Sequence, residues 1–170
     1  MNNSDHGLGW VLLVVGLILG TMTTIGLGAW QMVEKNTPPP GLVADDTTAR
    51  QQVLDVATSS IEKILSYDAD TTSDDVSSNA KLLTGTAQDH YRDVMRSAIG
   101  KASANNITQA STVSQSSIES LSDTKAQVLA FVDQRTSSTG SGAPDLKKLA
   151  IRIGLAKVDG NWLIETYDQL

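Results

Sequence analysis

The stretch that decides the fold is LAIRIGLAKVDGNWLI, residues 149–164. Aliphatic side chains occupy every second position of its first half, which is the period of a strand with one buried face. These residues are Leu149, Ile151, Ile153 and Leu155. Asp159-Gly160 then separates two strand-like segments, and this dipeptide is the strongest short signal for a β-hairpin. The segment that follows is predicted to be the second strand of an antiparallel pair, with Trp162 and Ile164 on one side.

Two more strands are predicted upstream of this hairpin. Residues 127–132, QVLAFV, are apolar on both faces, which suits a central strand. Residues 107–113 alternate weakly between polar and apolar side chains and predict a strand that precedes it. Residues 137–144 are rich in glycine and serine and are predicted to form a loop. The second half of the chain is therefore expected to form an antiparallel meander.

Three helices are predicted before the first strand. One covers about 46–66, after acidic and threonine residues suited to a helix start. A shorter helix ends at Gly85, the residue type that best tolerates a left-handed cap, and Thr86-Ala-Gln-Asp89 resembles a capping box that opens the third. Helices followed by a meander define an α+β fold, and residues 45–170 are enough for one core. The residues expected to face that core recur at three- and four-residue spacing: Val53, Val56, Ala57, Ile61, Ile64, Leu65, Val76, Ala80, Leu83, Tyr91, Val94, Met95, Ala98 and Ile99.

A single transmembrane helix is predicted over residues 8–33, after a short tail at 1–7. This region contains no Asp, Glu, Lys or Arg, and its length matches a hydrocarbon thickness of ~30 Å. Trp10 and Trp30 stand at its two ends, where indole rings prefer the membrane interface. A cleaved signal peptide is the alternative, but the tail has no Lys or Arg and the apolar run exceeds ~15 residues.

Small residues recur at every fourth position of the predicted span and form one strip along it. Such a strip lets another helix pack closely, which in lipid is one of the few sources of affinity between helices. The alternative is that glycine is simply common in membrane helices. The predicted helix-packing residues are Gly16, Gly20, Thr24 and Gly28.

Residues 34–44 are predicted to be a stiff, proline-rich linker between the span and the domain. Lys and Arg around the span are too few for the positive-inside rule to set the orientation. A short tail, a span and a whole domain form the layout of an uncleaved signal anchor. We therefore expect a single-pass protein of the cell membrane, with its N-terminus cytoplasmic and its C-terminal domain extracytoplasmic.

Charge and composition exclude several functional classes. Lys plus Arg is 13 against 19 for Asp plus Glu, a net charge of −6, and no basic block occurs, so nucleic acid is not an expected partner. The chain has no cysteine and two histidines, which removes thiolate nucleophiles, zinc ribbons and most imidazole-based metal sites. We expect no cofactor, no bound metal and no enzymatic activity.

The residues that could carry chemistry are interpreted as structural. On a helix His90 points away from the face of Tyr91, and Asp93 lies where it can pair with the imidazole, so a satisfied surface histidine is expected. Asp89, which precedes His90, is the fourth residue considered for a catalytic group here. Tyr67 and the acids after it are expected to form a turn rather than a general base. A calcium loop is the alternative for four nearby acids, but they lack the central glycine and terminal glutamate of an EF-hand: Asp68, Asp70, Asp74 and Asp75.

Four strings, in this order after one predicted span, resemble the mammalian-cell-entry (Mce) associated membrane proteins of actinobacteria. The strings are Ile64-Leu-Ser-Tyr-Asp68, Leu82-Leu-Thr-Gly85 ahead of a helix with Tyr91, Val128-Leu-Ala-Phe-Val-Asp-Gln134, and Asp159-Gly-Asn-Trp-Leu163. The resemblance implies a cone-shaped, nuclear-transport-factor-2-like domain of about three helices packed on a curved antiparallel four-stranded sheet.

The same resemblance implies a non-enzymatic accessory subunit that stabilises a larger integral membrane complex of the Mce type, which imports lipid or sterol. The contacts would run through the membrane helix and the external domain. An accessory role in another envelope or respiratory-chain complex is equally compatible with the residues. A further alternative is that the cone binds lipid or a small molecule in a pocket lined by its few aromatic residues: Tyr67, Tyr91, Phe131, Trp162 and Tyr167.

Overall fold

The computed structural model describes residues 46–139 and 142–170. The predicted tail, membrane span and linker lie outside these residues, and so do the predicted packing strip and both interface tryptophans. Of the helices within the described ranges, none combines the length and apolar character needed to span a bilayer.

Helices come first in the described chain and strands follow, as the sequence predicts. The four strands form one sheet in the order β1-β2-β3-β4, and every neighbouring pair is antiparallel. The α+β meander is therefore confirmed. The helical elements are α1 (Thr47–Leu65), α2 (Ser73–Asn79), a 3₁₀ turn η1 (Ala80–Leu82) and α3 (Gly85–Asn105). The strands are β1 (Thr108–Leu121), β2 (Lys125–Ser137), β3 (Asp145–Val158) and β4 (Asn161–Gln169).

The start of α1 follows directly from its sequence. One carboxylate oxygen of Asp46 accepts hydrogen bonds from the backbone N–H groups of Thr48 and Ala49, at 2.8 and 3.2 Å. These two donors have no partner within the helix, so the side chain satisfies them and fixes where the helix begins.

The capping box predicted at Thr86 is wrong. Helix α3 begins one residue earlier, at Gly85, and the side chain of its N-cap residue Thr84 makes no capping bond. Gly85 does adopt a left-handed φ of +61°, but it opens α3 rather than closing the helix before it. A complete capping box is present instead at the start of α2, between Thr72 and Asp75.

Strand β1 extends to Leu121, beyond the predicted 107–113. The prediction ended too early because the regular alternation of side chains stops after Val113. Register shifts occur between Val113 and Gln115 and again between Ile118 and Ser120. Each shift places an extra residue in one strand, which bends the strand and changes the face to which the next side chains point. The period-2 pattern that marks a strand in a sequence is therefore lost there, although the pairing continues to Leu121.

The predicted β3–β4 hairpin is confirmed. Val158 pairs with Asn161, and the two residues between them have positive φ, +49° at Asp159 and +82° at Gly160. Positive φ at both central positions suits the right-handed twist of the strands.

The core lies between the helices and one face of the sheet. The residues predicted to face it are buried, except for Val56, Val94 and Ile99, which are half-buried. The sheet contributes alternate positions of β2 and β3 together with the buried side of β4. These strand residues are Ala126, Val128, Ala130, Val132, Leu149, Ile151, Ile153, Leu155, Trp162, Ile164 and Tyr167.

Candidate interaction site

The neighbours Asp89 and Asp93 do not form a catalytic group with the histidine between them. Both carboxylates are at the surface and form ion pairs along α3, with Arg92 at 3.6 Å and with Arg96 at 3.2 Å. Ion pairs of this kind between exposed residues on one helix contribute only a few tenths of a kcal/mol.

The interpretation of His90 as a satisfied surface residue is wrong. Its side chain is half-buried, and its Nε2 atom is buried without a hydrogen-bond partner among the described residues. Asp93, the expected partner, pairs with Arg96 instead. Helical spacing places Asp93 within reach of His90, but Asp93 is equally close to Arg96, which is one turn further along α3.

The acidic residues after α1 form a turn, as predicted, and one of them also caps α2. An oxygen of Asp68 accepts hydrogen bonds from the backbone N–H of Asp70 and the hydroxyl of Thr71, at 3.0 and 2.9 Å. Asp75 accepts from the backbone N–H and hydroxyl of Thr72, and these bonds lower the pKa of the Asp75 carboxyl. Within 46–139 and 142–170, no three His, Cys, Asp or Glu side chains converge to hold a metal ion.

Two phenol groups lie inside the domain, on α3 and β4. The hydroxyls of Tyr91 and Tyr167 are buried without a hydrogen-bond partner among the described residues. Burial raises the pKa of Tyr91, and the polar side chain of Asn79 offsets part of that rise. Burial also raises the pKa of Tyr167, and the phenol of Tyr91 and the carboxylate of Asp168 add to the effect. Both phenols are therefore neutral at physiological pH and cannot serve as bases.

The aromatic pocket predicted between helices and sheet is occupied by packed side chains. Tyr67, Tyr91, Trp162 and Tyr167 belong to the hydrophobic core. Phe131 is 45% exposed and lies on the opposite face of the sheet, because it alternates with the buried residues of β2.

A polar cluster ties the end of α1 to β1 and β2. The carbonyl of Leu65 accepts two hydrogen bonds, from Gln109 Nε2 at 2.8 Å and from Ser111 Oγ at 3.1 Å. Gln109 also accepts a long bond from the Tyr67 hydroxyl, and Gln134 Nε2 donates to Ser111 Oγ. We call these residues the α1 clamp. It satisfies a carbonyl of the last helical turn, which has no partner within the helix, so its function is structural.

A cleft of about 500 Å³ lies where α1, η1 and the β3–β4 hairpin meet. We call it the hairpin cleft. Its volume is within the range of small-ligand pockets, roughly 300–1,000 Å³. The apolar residues that line it come from three separate parts of the chain: Val56, Leu82, Val158, Trp162 and Leu163.

Charged side chains stand around the apolar lining of the hairpin cleft. Lys81 and Asp159 line it directly. The Lys157 ammonium lies 5.5 Å from the centre of the Trp162 ring, within range of a cation–π interaction. Lys63 is one turn beyond the lining residue Ser59 on α1 and therefore on the same side of that helix.

The open edge of β4 borders the hairpin cleft and directs unused backbone groups toward it. Val158 and Asn161 close the two-residue turn, so the next pair, Lys157 and Trp162, is a non-hydrogen-bonded pair of the ladder. The N–H and C=O of Trp162 therefore point away from β3, toward the open edge. Two residues on, the Ile164 carbonyl points to the same edge and accepts a bond from the Thr84 N–H at 2.8 Å. Among the described residues, nothing pairs with the backbone of Trp162.

Three helices packed against a four-stranded antiparallel meander define the class of this domain, an α+β protein with the nuclear-transport-factor-2-like fold. The chain belongs to the family of Outer membrane protein Rv1973 of Mycobacterium tuberculosis, to which it is 32% identical over 159 residues. That match covers 93% of this chain and 94% of the relative. The chain is also 28% identical over 152 residues to Rv1362c of the same organism, covering 89% of this chain and 68% of that protein. No family model matches the sequence.

Solved structures with the same fold are distant in sequence. An IcmL-like type IV secretion system protein from Legionella pneumophila matches with a TM-score of 0.61 at 11% identity, covering 71% of this chain and 91% of that one. CagV, a VirB8 homolog from the Helicobacter pylori type IV secretion system, matches with a TM-score of 0.54 at 10% identity, over 68% and 96%. A candidate aromatic ring hydroxylase from Novosphingobium aromaticivorans matches with a TM-score of 0.52 at 11% identity, over 71% and 86%. The fold is thus shared by secretion-system subunits and by a protein described as an enzyme.

Proposed function

We propose that this protein is a non-enzymatic, single-span accessory subunit of a larger membrane complex in the actinobacterial envelope. The observation that carries the proposal is the match over nearly the whole of both chains to a mycobacterial protein named for its membrane location. The fold shared with two secretion-system proteins supports membership of a multi-protein complex. Neutral phenols buried in the core, and acidic side chains engaged in a turn and a helix cap, support a role without chemistry.

The complex that best fits the sequence is an Mce-type lipid or sterol import system. Support comes from the four strings that resemble Mce-associated proteins and from the mycobacterial source of the two relatives. In this proposal residues 8–33 anchor the chain in the cell membrane and residues 34–44 carry the domain on the extracytoplasmic side. Because the relative is named for the outer membrane, fractionation of the envelope is a direct check. Recovery with outer-membrane markers would refute the cell-membrane anchor.

The test of complex membership is gentle solubilisation of native membranes, followed by isolation of the tagged full chain and identification of the proteins that come with it. We expect components of an import complex to accompany the chain. Recovery of the chain alone in several mild detergents would refute the proposal.

Variants of the packing strip make this experiment sharper. Replacing Gly20 with Leu places a large side chain where a neighbouring helix would come closest, so we expect the partner to be released. Leu17→Ile and Leu19→Ile keep the bulk of the other faces and serve as matched controls. If the partner stays bound when Gly16 and Gly20 are both changed to Leu, the contact is not made through this strip.

A further inference from the structure

We propose that the hairpin cleft binds an extended segment of a partner protein, one that carries a large apolar side chain with acidic residues on either side. This inference takes its biological meaning from the proposed complex, whereas the binding itself is a property of the isolated chain. It rests on the lining of the cleft, the free backbone of Trp162 and the charges around the rim.

The lining favours a large apolar side chain. Trp162 forms part of the wall, although it is 8% exposed, and it is flanked by aliphatic side chains from α1, η1 and the hairpin. Val158 at the mouth of the cleft is 37% exposed, a large hydrophobic residue in contact with water. An inserted apolar side chain would remove this surface from water, at roughly 25 cal/mol per Å². Tryptophan is also among the residues most enriched at the energetic centres of protein interfaces.

The backbone favours an extended occupant rather than a helix. The N–H and C=O of Trp162 point to the open edge of β4, and an extended peptide there can pair with both groups, as in β-strand addition. The protein already uses this edge in the same way. Leu83 forms a parallel bridge with Ile164, which is two residues after Trp162 on β4. The backbone N–H of Thr84 donates a hydrogen bond to the carbonyl of Ile164. An incoming segment would therefore continue an existing mode of pairing.

The rim favours acidic residues in the occupant. Lys81 lines the cleft, and Lys157 lies over the ring of Trp162. Lys63 is one turn along α1 from the lining residue Ser59. None of these three lysines forms an ion pair with a described residue. Asp159 lines the cleft, and Asp55 is one turn from Ser59 on the other side, so three lysines stand against two aspartates. This local excess of positive charge is found in a chain whose net charge is −6. Complementary potentials across an interface select the partner and its register.

The binding test uses the full chain in phosphatidylcholine nanodiscs and two pools of fluorescein-labelled, acetylated pentapeptides. One pool has the pattern Asp-X-Leu-X-Asp and the other Lys-X-Leu-X-Lys, where X is any residue except cysteine. We expect fluorescence anisotropy to show at least ~10-fold tighter binding of the acidic pool, which corresponds to about 1.4 kcal/mol. Methylation of the central leucine nitrogen should weaken binding by a similar factor if the peptide pairs with the Trp162 carbonyl.

Variants on the protein locate the binding in the cleft. Lys81→Glu with Lys157→Glu should weaken binding of the acidic pool at least ~10-fold. Lys147→Glu with Lys148→Glu changes the net charge equally at the far end of β3 and should have little effect. Val158→Asp places a carboxylate at the exposed mouth of the cleft and should also weaken binding.

Equal affinity for the two pools, absence of saturable binding, or insensitivity to the cleft variants would overturn the inference. Displacement of the peptides by oleate with no acidic preference would assign the cleft to lipid, and dimerisation that buries Trp162 would assign it to a second copy. Either result would also overturn it. Partner loss in native membranes with peptide binding intact would instead refute the proposed function alone.

Discussion

The α1 clamp gives a quantitative prediction, because one buried carbonyl receives two hydrogen bonds from different side chains. Gln109→Met removes one bond to the Leu65 carbonyl and the acceptor of the Tyr67 hydroxyl. Ser111→Ala removes the other bond and leaves the Gln134 amide without its acceptor. Each change removes two bonds, so at about 0.5–1.5 kcal/mol for each bond either single change should lower the free energy of unfolding by about 1–3 kcal/mol.

The two changes together should cost more than their sum. In either single variant the Leu65 carbonyl keeps one donor, but in the double variant it loses both donors. A buried acceptor without a partner costs about 1–3 kcal/mol beyond the lost bonds. We therefore expect the double variant to lose about 3–9 kcal/mol in total, with a coupling of at least ~1 kcal/mol.

Equilibrium urea unfolding of residues 45–170, followed by circular dichroism, measures these differences. Gln115→Met with Ser117→Ala provides a matched control, since it makes the same two changes at exposed positions of the same strand. This control pair should be additive and nearly neutral. If the clamp variants are additive within about 0.5 kcal/mol, the Leu65 carbonyl finds another donor and the reasoning is refuted.

Three further predictions concern single positions. A Cβ added at Gly154 would clash with Thr166 Oγ1, so Gly154→Ala should destabilise the domain by about 1–3 kcal/mol in thermal unfolding. Thr166→Ala in the same chain should restore most of that loss, and failure to do so would contradict the proposed clash. Gly160 has open space around it but a φ of +82°, so Gly160→Ala should cost about 1–2 kcal/mol, whereas Gly100→Ala within α3 should be stabilising. If both changes shift the melting temperature equally, the loss of stability in Gly160→Ala does not come from the positive φ of that residue. Because burial raises the pKa of Tyr167 above its ordinary 10.0, the neutral phenol contributes stability below pH 10.0, and this is lost as the pH rises beyond it. Tyr167→Phe should be near neutral at pH ~7 and should weaken the fall in melting temperature above pH ~10, and an unchanged pH profile would refute this.

Elements whose signals are local could be predicted from the sequence. Asp46 caps α1 through its nearest backbone neighbours, and Asp159-Gly160 closes the final hairpin through its own φ angles. The capping box of Thr72 and Asp75 could have been found in the same way, since these residues have the same three-residue separation as Thr86 and Asp89.

Features that depend on distant segments could not be predicted. The outer half of β1 is a strand because β2 pairs with it through two register shifts, and no local alternation marks it. The burial of His90 Nε2 depends on what packs over α3. The hairpin cleft combines Val56, Leu82 and Trp162, which are separated in the chain by 26 and 80 residues, so only the folded domain brings them together.

The order of the sheet has a consequence for how the domain assembles. Each strand pairs with its neighbour in sequence, and the β1–β2 and β3–β4 connections are three and two residues long. Closing such short loops costs little chain entropy, so these hairpins are inexpensive to nucleate. Joining α1 to β1 is different, because Leu65 and Gln109 are 44 residues apart. The search that limits the rate of folding is therefore expected to be the docking of the first helix on an already paired sheet.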